Sequence, residues 1–416
     1  LRKKEESGHL DFEENEEAYA FGNDMNHLGA SLQARTDLIN SEPQKKQQLL
    51  AEIDANLHER EDYYGDNLYQ GNQRNLQAMV GYLLTKNNLP NLFFGAKLDY
   101  GILKENFGDF RQERREESIG LLARHQQHWN QHILTEANLE LEHHNLQKAS
   151  ARPSLRVNFL FPEQKKFFLN LFTAYDWRYP NLFTDYSRIF VSDYDINIEE
   201  TELNNWQPNQ LWQFGTAASY HHKKTRIKLQ YHYFHFCQKT LWDLYQTPNA
   251  TNIYSSNERA FRHLLEVRGL QRLGSKFTVG LTYRWDQNKS TYGEEFRLDP
   301  FLSEHSVYTT FSYYNEGLRT DLRYHLHSPQ QLIGLETTQS LWLHRLDFKA
   351  TYDLYYAVSQ DALQPFSFTF GIDNLLANQQ QIIFQNDANG FNGMNLWGIT
   401  HGTRFYLGVA YDLRLD

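Results

Sequence analysis

Trp177, Arg178 and Tyr179 stand together in the chain, two aromatic rings flanking a guanidinium. Such a set can grip a ligand through stacking and charge-assisted hydrogen bonds. The same set can pin a loop against its support, which is the plainer use of these side chains. Trp242 with Tyr245, and Trp397 with His401, are two further groups open to both readings. His125, His128 and His132 have a spacing that would suit a metal on a helix, but they straddle a short turn between strand-like runs. They therefore read as a solvated turn, as do His143-His144 and His221-His222. No Ser/His/Asp set or carboxylate pair converges in the pattern. The sequence assigns no catalytic residue, no metal and no cofactor, and the chain does not read as an enzyme.

The element that positions the last of these groups is the clearest strand in the chain. In Thr403–Asp416, Phe405, Leu407, Val409, Tyr411, Leu413 and Leu415 alternate with Arg404, Tyr406, Gly408, Ala410, Asp412 and Arg414. A period of two places one set on each face of a strand. From residue 28 onward about seventeen such segments are expected by alternation and turn signals. They are Leu28–Asn40, Gln47–His58, Asn75–Thr85, Asn91–Leu103, Glu116–His125 and His132–His144 in the first third. Arg152–Phe161, Lys166–Ala174, Asn209–His221, Thr225–Lys239, Ala260–Arg272 and Lys276–Gln287 follow. Glu304–Tyr314, Leu318–His327, Gln339–Ala357, Pro365–Asn374 and Thr403–Leu415 complete the set. Residues 1–27 are charged and aperiodic, and read as an exposed loop.

Bulk composition allows two solutions. Mean hydropathy is −0.70 and no apolar run is long enough for a spanning helix. A β-barrel escapes that test, because every second residue of its strands is polar. The 26 Tyr, 28 Phe and 8 Trp are a surplus that suits membrane-interface girdles. A net charge of −10 argues against a general nucleic-acid binder. Cys237 is the single cysteine, which excludes an internal disulfide or a cysteine zinc site.

The connections choose between the two. Short ones at 41–45, 86–90, 127–130, 162–165, 221–224, 272–275, 314–317 and 359–365 alternate with longer ones. The longer ones fall at 59–74, 104–115, 145–151, 175–208, 240–259, 288–303, 328–338 and 375–402. Short turns on one side and long loops on the other mark an outer-membrane barrel, with the turns periplasmic. The last strand must then run toward the periplasm, and counting back makes the first visible strand run the same way. A barrel chain enters from the periplasm, so the expectation is a chain that starts in mid-barrel, with 1–27 the remnant of a surface loop. An opening Leu1 in place of Met fits a processed product or a fragment.

Several motifs, in order, resemble the TonB-dependent outer-membrane receptors in their Bacteroidetes form. Gly371-Ile-Asp373-Asn374-Leu375 is similar to the strand end before the last surface loop. The run from Trp397-Gly398 through Gly402, Arg404-Phe405-Tyr406 and Gly408 to Tyr411 is similar to the closing motif. Tyr69-Gln-Gly71-Asn-Gln73, Glu117-Ser-Ile-Gly120, His144-Asn145, Arg178-Tyr-Pro-Asn181 and Trp212-Gln-Phe-Gly215 fit upstream. The resemblance implies an all-β fold, an antiparallel up-and-down transmembrane barrel holding about 17 of 22 strands, spanning 28–416. It places the plug and the TonB box outside this chain. It makes Gly408, Tyr411 and Leu413 the signal read by the barrel-assembly machinery. It further implies a localisation in the outer membrane, amid its lipid, and active import of a scarce nutrient. That nutrient is a siderophore, haem, cobalamin, metal chelate or oligosaccharide, and the TonB–ExbB–ExbD complex supplies the energy. Trp177, Arg178, Tyr179, Trp242, Tyr245, Trp397 and His401 are the candidate ligand contacts. A passive porin-type channel is the alternative.

Overall fold

A computed structural model describes residues 2–5, 21–38, 45–64, 67–86, 89–107, 110–161, 166–181, 195–198, 207–245, 250–332, 339–354, 366–378 and 402–411. The wall begins with β2 (Phe21–Asp37), β3 (Lys45–Tyr64), β4 (Asn67–Lys86), β5 (Leu89–Phe107) and β6 (Phe110–His128), β1 (Arg2–Glu5) being a short strand laid on β2. It continues through β7 (Ile133–His144), β8 (Lys148–Leu160) and β9 (Phe167–Arg178). After β10 (Asp195–Ile198) come β11 (Asn209–His222) and β12 (Thr225–Asp243). Then follow β13 (Ala250–Ser256), β14 (Ala260–Leu273), β15 (Phe277–Tyr292), β16 (Glu295–Leu298), β17 (His305–Asn315) and β18 (Leu318–His327). The chain closes with β19 (Leu343–Asp353), β20 (Phe366–Asp373) and β21 (Arg404–Tyr411).

Setting aside β1, β10, β13 and β16, the remaining strands pair antiparallel, each with the next. They coincide one for one with the seventeen segments expected from alternation. The architecture is all-β, an up-and-down antiparallel wall of a partial transmembrane barrel. Both β2 and β21 run in the same direction, and among the described residues no pairing joins them.

Burial is turned inside out relative to a water-soluble sheet. Leu32, Leu121 and Leu407 are 68%, 62% and 84% exposed, while Asp62, Glu105 and Asn374 are 1%, 0% and 0% exposed. Around the wall, Ile53, Val80, Phe94, Leu98, Ile119, Leu155, Leu171, Phe214, Ile227, Leu281, Phe311, Leu322 and Phe368 all face outward and exposed. A contiguous apolar belt of this extent is unstable against water and stable against hydrocarbon. The polar alternates point to the lumen, where Arg262 grips Asp286 through two bonds of 2.7 Å and Asn170 donates to Asn158 at 2.7 Å.

Two expectations need correction. The segments 59–74 and 104–115 are not loops: β3 continues to Tyr64 and β4 starts at Asn67, while β5 continues to Phe107 and β6 starts at Phe110. Likewise 145–151 shortens, because β8 begins at Lys148. A barrel needs about 9–11 residues per crossing, and β3 and β4 have 20 each. The excess stands above the belt, where lipid no longer demands an apolar outer face, so the period-two hydropathy signal fades while the hydrogen-bond ladder continues. Arg2–Glu5 and Phe21–His27, read as loop, are strand for the same reason. The sorting of connections by side therefore rests on the later ones, from Tyr179 onward.

Two motif glycines acquire a physical reason. The Phe172 ring lies over Gly215, and the Tyr406 ring lies over Gly371, so that a Cβ at either site would overlap the ring. Gly371→Val is expected to expel Tyr406 from the lumen face and cost about 1–3 kcal/mol, the usual range for overpacking. A urea titration of the refolded protein checks this, and Gly408→Ala serves as control, since a Cβ there meets Thr369 at an ordinary 3.7 Å.

Candidate ligand-capture site

The inner faces of β3 to β9 enclose a recess of about 450 Å³, in the size range of small-molecule sites. Alternation delivers its lining. β4 contributes Gln73, Asn75 and Gln77, β5 Lys97 and Asp99, β6 Arg114, Glu116 and Ser118, β7 Glu142 and His144, and β8 Arg152. The chain leaving β9 turns over the recess and adds Trp177, Arg178, Tyr179 and Asn181.

Two arginines hold that chain in place. Arg114 pairs with Glu116 at 2.6 Å and donates to the Pro180 carbonyl and to Asn181 Oδ1, both at 2.7 Å. Arg152 lies 4.3 Å from the centre of the Trp177 ring and pairs with Glu140 and Glu142 at 3.2 Å each. The Trp177 indole donates to Ser150 Oγ at 3.0 Å. His144 meets Trp177 edge-on at 5.2 Å and stacks on Tyr179 at 5.5 Å. Burial pushes the Tyr179 phenol up to about 12, so it stays neutral and serves as a plate between His144 and Arg114.

Trp177 and Tyr179 are thus brought together, but at 4% and 7% exposure, with their faces already covered. Arg178 is exposed at the end of β9. His144 is not a solvated turn residue: it stands at the loop-bearing end of β7 and is buried within this aromatic cluster. Sequence reading passed over Arg114 and Arg152. The available signal was the inward phase of β6 to β8, where Arg114 and Glu116, Glu140 and Glu142, and Arg152 all share one face.

The charges of the recess are largely spent on one another. Lys97 reaches Asp99 at 2.9 Å, touches Glu140 and lies 3.9 Å from Glu142. The side chains of Asn56, Gln73, Asn75 and Gln77, by contrast, have no hydrogen-bond partner among the described residues. What the recess offers a ligand is a wall of side-chain amides between neutralised charges, which suits directional hydrogen bonding over simple charge attraction.

Trp242 and Tyr245 belong to a separate cluster at the loop-bearing end of the wall and do not line the recess. Above β12, β13 pairs antiparallel with Lys239–Asp243 and β10 pairs parallel with β13. Leu241, Trp242, Leu244, Ile253 and Tyr292 form a buried apolar centre there. Tyr245 donates to the Leu298 carbonyl at 3.1 Å and meets Tyr292 edge-on at 5.1 Å. Burial pushes its phenol up to about 12 as well. Lys239 anchors the base, donating to Ser290 at 2.8 Å and pairing with Asp299 at 2.6 Å. Trp397, His401 and Leu413 lie outside the described residues. Gly408 sits on the inward phase of β21, opposite Thr369, and Tyr411 closes the strand, 4.9 Å from Phe366 on the outward phase.

No protein-family model and no curated protein sequence matches the chain. Solved structures do. The copper transporter OprC superposes with a TM-score of 0.66 at 12% identity, covering 94% of this chain and 68% of its own. The ferric preacinetobactin receptor BauA of Acinetobacter baumannii gives 0.64 at 8% identity, over 95% of this chain and 64% of its own. The ferric enterobactin receptor PfeA of Pseudomonas aeruginosa gives 0.61 at 11% identity, over 98% and 71%. The chain spans about two thirds of the length of these proteins and shares their fold.

Proposed function

We propose that this chain is the barrel wall of a TonB-dependent outer-membrane receptor, of the Bacteroidetes type that its motifs resemble. It captures a scarce nutrient at the cell surface and passes it through the lumen with energy delivered by TonB–ExbB–ExbD. The observation that carries this reading is the wall itself: an apolar belt outside, a charged and amide-lined lumen inside, and a recess at the loop-bearing end. Proteins of the same fold include a copper transporter and receptors for ferric siderophores, which supports uptake of a chelated metal or another small nutrient. No bond in the nutrient changes; the protein's work is binding and passage. Gly408 and Tyr411, with Leu413, supply the signal by which the barrel-assembly machinery inserts it.

The test is uptake in the native cell. With the gene intact, growth on one nutrient of a panel (ferric siderophores, haem, cobalamin, oligosaccharides) should require both this protein and TonB. Uptake that persists without TonB would replace active transport with a passive channel.

A further inference from the structure

The short-turn end of the wall carries a charge that the capture recess does not use. Thr282 faces the lumen, and the register carries that face along the sheet: Arg268 opposes Thr282, Lys228 opposes Arg268, and Arg272 opposes Thr278. Two residues before Lys228, Arg226 opposes His221, whose backbone N–H donates to the Lys166 carbonyl at 2.6 Å. Lys166, Arg226, Lys228 and Arg272 therefore lie on one inward face, from the start of β9 to the end of β14. Directly opposed side chains stand about 4.5–5.5 Å apart and successive ones on a face about 7 Å, so the four form one patch.

All four are exposed, and among the described residues none has a carboxylate within salt-bridge distance. The acids of this part of the wall are engaged or distant. Glu266 pairs with Arg268 at 2.6 Å, Asp321 with Arg319 at 3.2 Å, and Glu316 stands on the β17–β18 turn. The recess at the loop-bearing end is the opposite case, where cations and acids neutralise one another. The turn between β11 and β12 adds Lys223 and Lys224. Two-residue hairpin turns favour Asn-Gly because the backbone must take a positive φ, yet Lys223 sits there at 48°. Charge is kept where a smaller residue would relieve the backbone.

The phase of the patch decides what it meets. Phe167, Tyr220, Ile227 and Phe277 hold the outward side at this level, so lipid faces rings and the cations face the lumen. Unpaired Lys and Arg lining a pore select anions. Four of them side by side suit a ligand with several carboxylate or phosphate oxygens.

We propose that Lys166, Arg226, Lys228 and Arg272 form an anion site at the short-turn mouth of the lumen, and that the imported nutrient is a polyanion bearing carboxylates or phosphates. This rests on the transport reading above: the recess captures the ligand by directional hydrogen bonds, and the unpaired cations draw it toward the periplasm.

The experiment uses the full-length protein from its complete gene, purified in detergent, with inorganic pyrophosphate as the probe in titration calorimetry. The wild type should bind pyrophosphate at low salt and bind it more weakly as salt is raised. Replacing the four cations with Gln should weaken binding about tenfold or more, the scale of one charge-assisted hydrogen bond. Arg226→Lys with Arg272→Lys keeps the charge and should keep most of the affinity. Transfer to a phosphatidylglycerol nanodisc should leave the wild-type affinity unchanged. In cells, the Gln variant should import the nutrient found by the growth panel about tenfold more slowly, while binding it at the surface as the wild type does. No binding by the wild type, equal binding by the Gln variant, or unchanged import overturns the proposal. Loss of binding in the nanodisc gives the cations to headgroups and overturns it too, as does a nutrient that proves neutral or cationic. The calorimetry needs neither TonB nor transport, so uptake without TonB would remove the active-transport reading and leave the anion site standing.

Discussion

Lys97→Met is expected to destabilise the barrel by about 3–5 kcal/mol, the cost of breaking a buried ion pair from one side. The Lys97 side chain is 9% exposed and stands among Asp99, Glu140 and Glu142, the last of which is 3% exposed. Methionine keeps the length of the stem, which lies against Gly120, and removes only the charge. Two carboxylates would then share Arg152 alone. Adding Glu140→Gln to Lys97→Met should recover a large part of the loss, because the repulsion and the unpaired charge go together. Denaturant unfolding of the refolded protein in a bilayer measures both steps. A loss under about 1 kcal/mol for the single variant would show that water already screens this part of the lumen.

The second large effect concerns which face meets lipid. Leu281 is 48% exposed and outward, opposite Gly269 and Thr309, whereas Thr282 is inward, between Arg268 and Tyr308. Arginine at a lipid-facing site near the bilayer midplane costs about 2–4 kcal/mol, and a lumen-facing one costs little. Leu281→Arg should therefore lose insertion or unfold at lower urea, while Thr282→Arg stays close to wild type. The comparison is internal, since the two positions are adjacent and differ only in face. Equal behaviour of the two variants, read by heat-modified gel mobility, would reverse the assignment or remove the membrane.

The order of the wall was legible because each crossing must repeat one physical requirement, apolar outward and polar inward every second residue. Phe277 to Trp285 and Leu346 to Leu354 state it plainly, and the strands there fall where alternation puts them. Above the belt that requirement lapses. Residues 59–62 of β3 and 111–115 of β6 are polar or charged on both faces, and nothing in Glu59-Arg60-Glu61-Asp62 distinguishes strand from loop. The short β1, β10, β13 and β16 escaped for a related reason: they are held by neighbouring strands, not by a pattern of their own.

The site was half legible. Trp177 and Tyr179 could be picked out by type, but their neighbours His144, Arg114 and Arg152 come from strands 25 to 65 residues away, and only the register brings them together. Trp242 and Tyr245 look alike in sequence and serve a different purpose, as the packed centre of a cluster above β12.

The wall is expected to cross the outer membrane with its β7–β8 connection outside and its β6–β7 turn inside. Trp129 in that turn is 68% exposed and Leu146 in the connection 46%, so both accept a cysteine without disturbing packing. In a Cys237→Ser background, intact cells making the protein from its complete gene would be treated with a membrane-impermeant maleimide. Leu146→Cys should label at once and Trp129→Cys only after the outer membrane is permeabilised. Labelling of Trp129→Cys in intact cells, with Leu146→Cys protected, would contradict it.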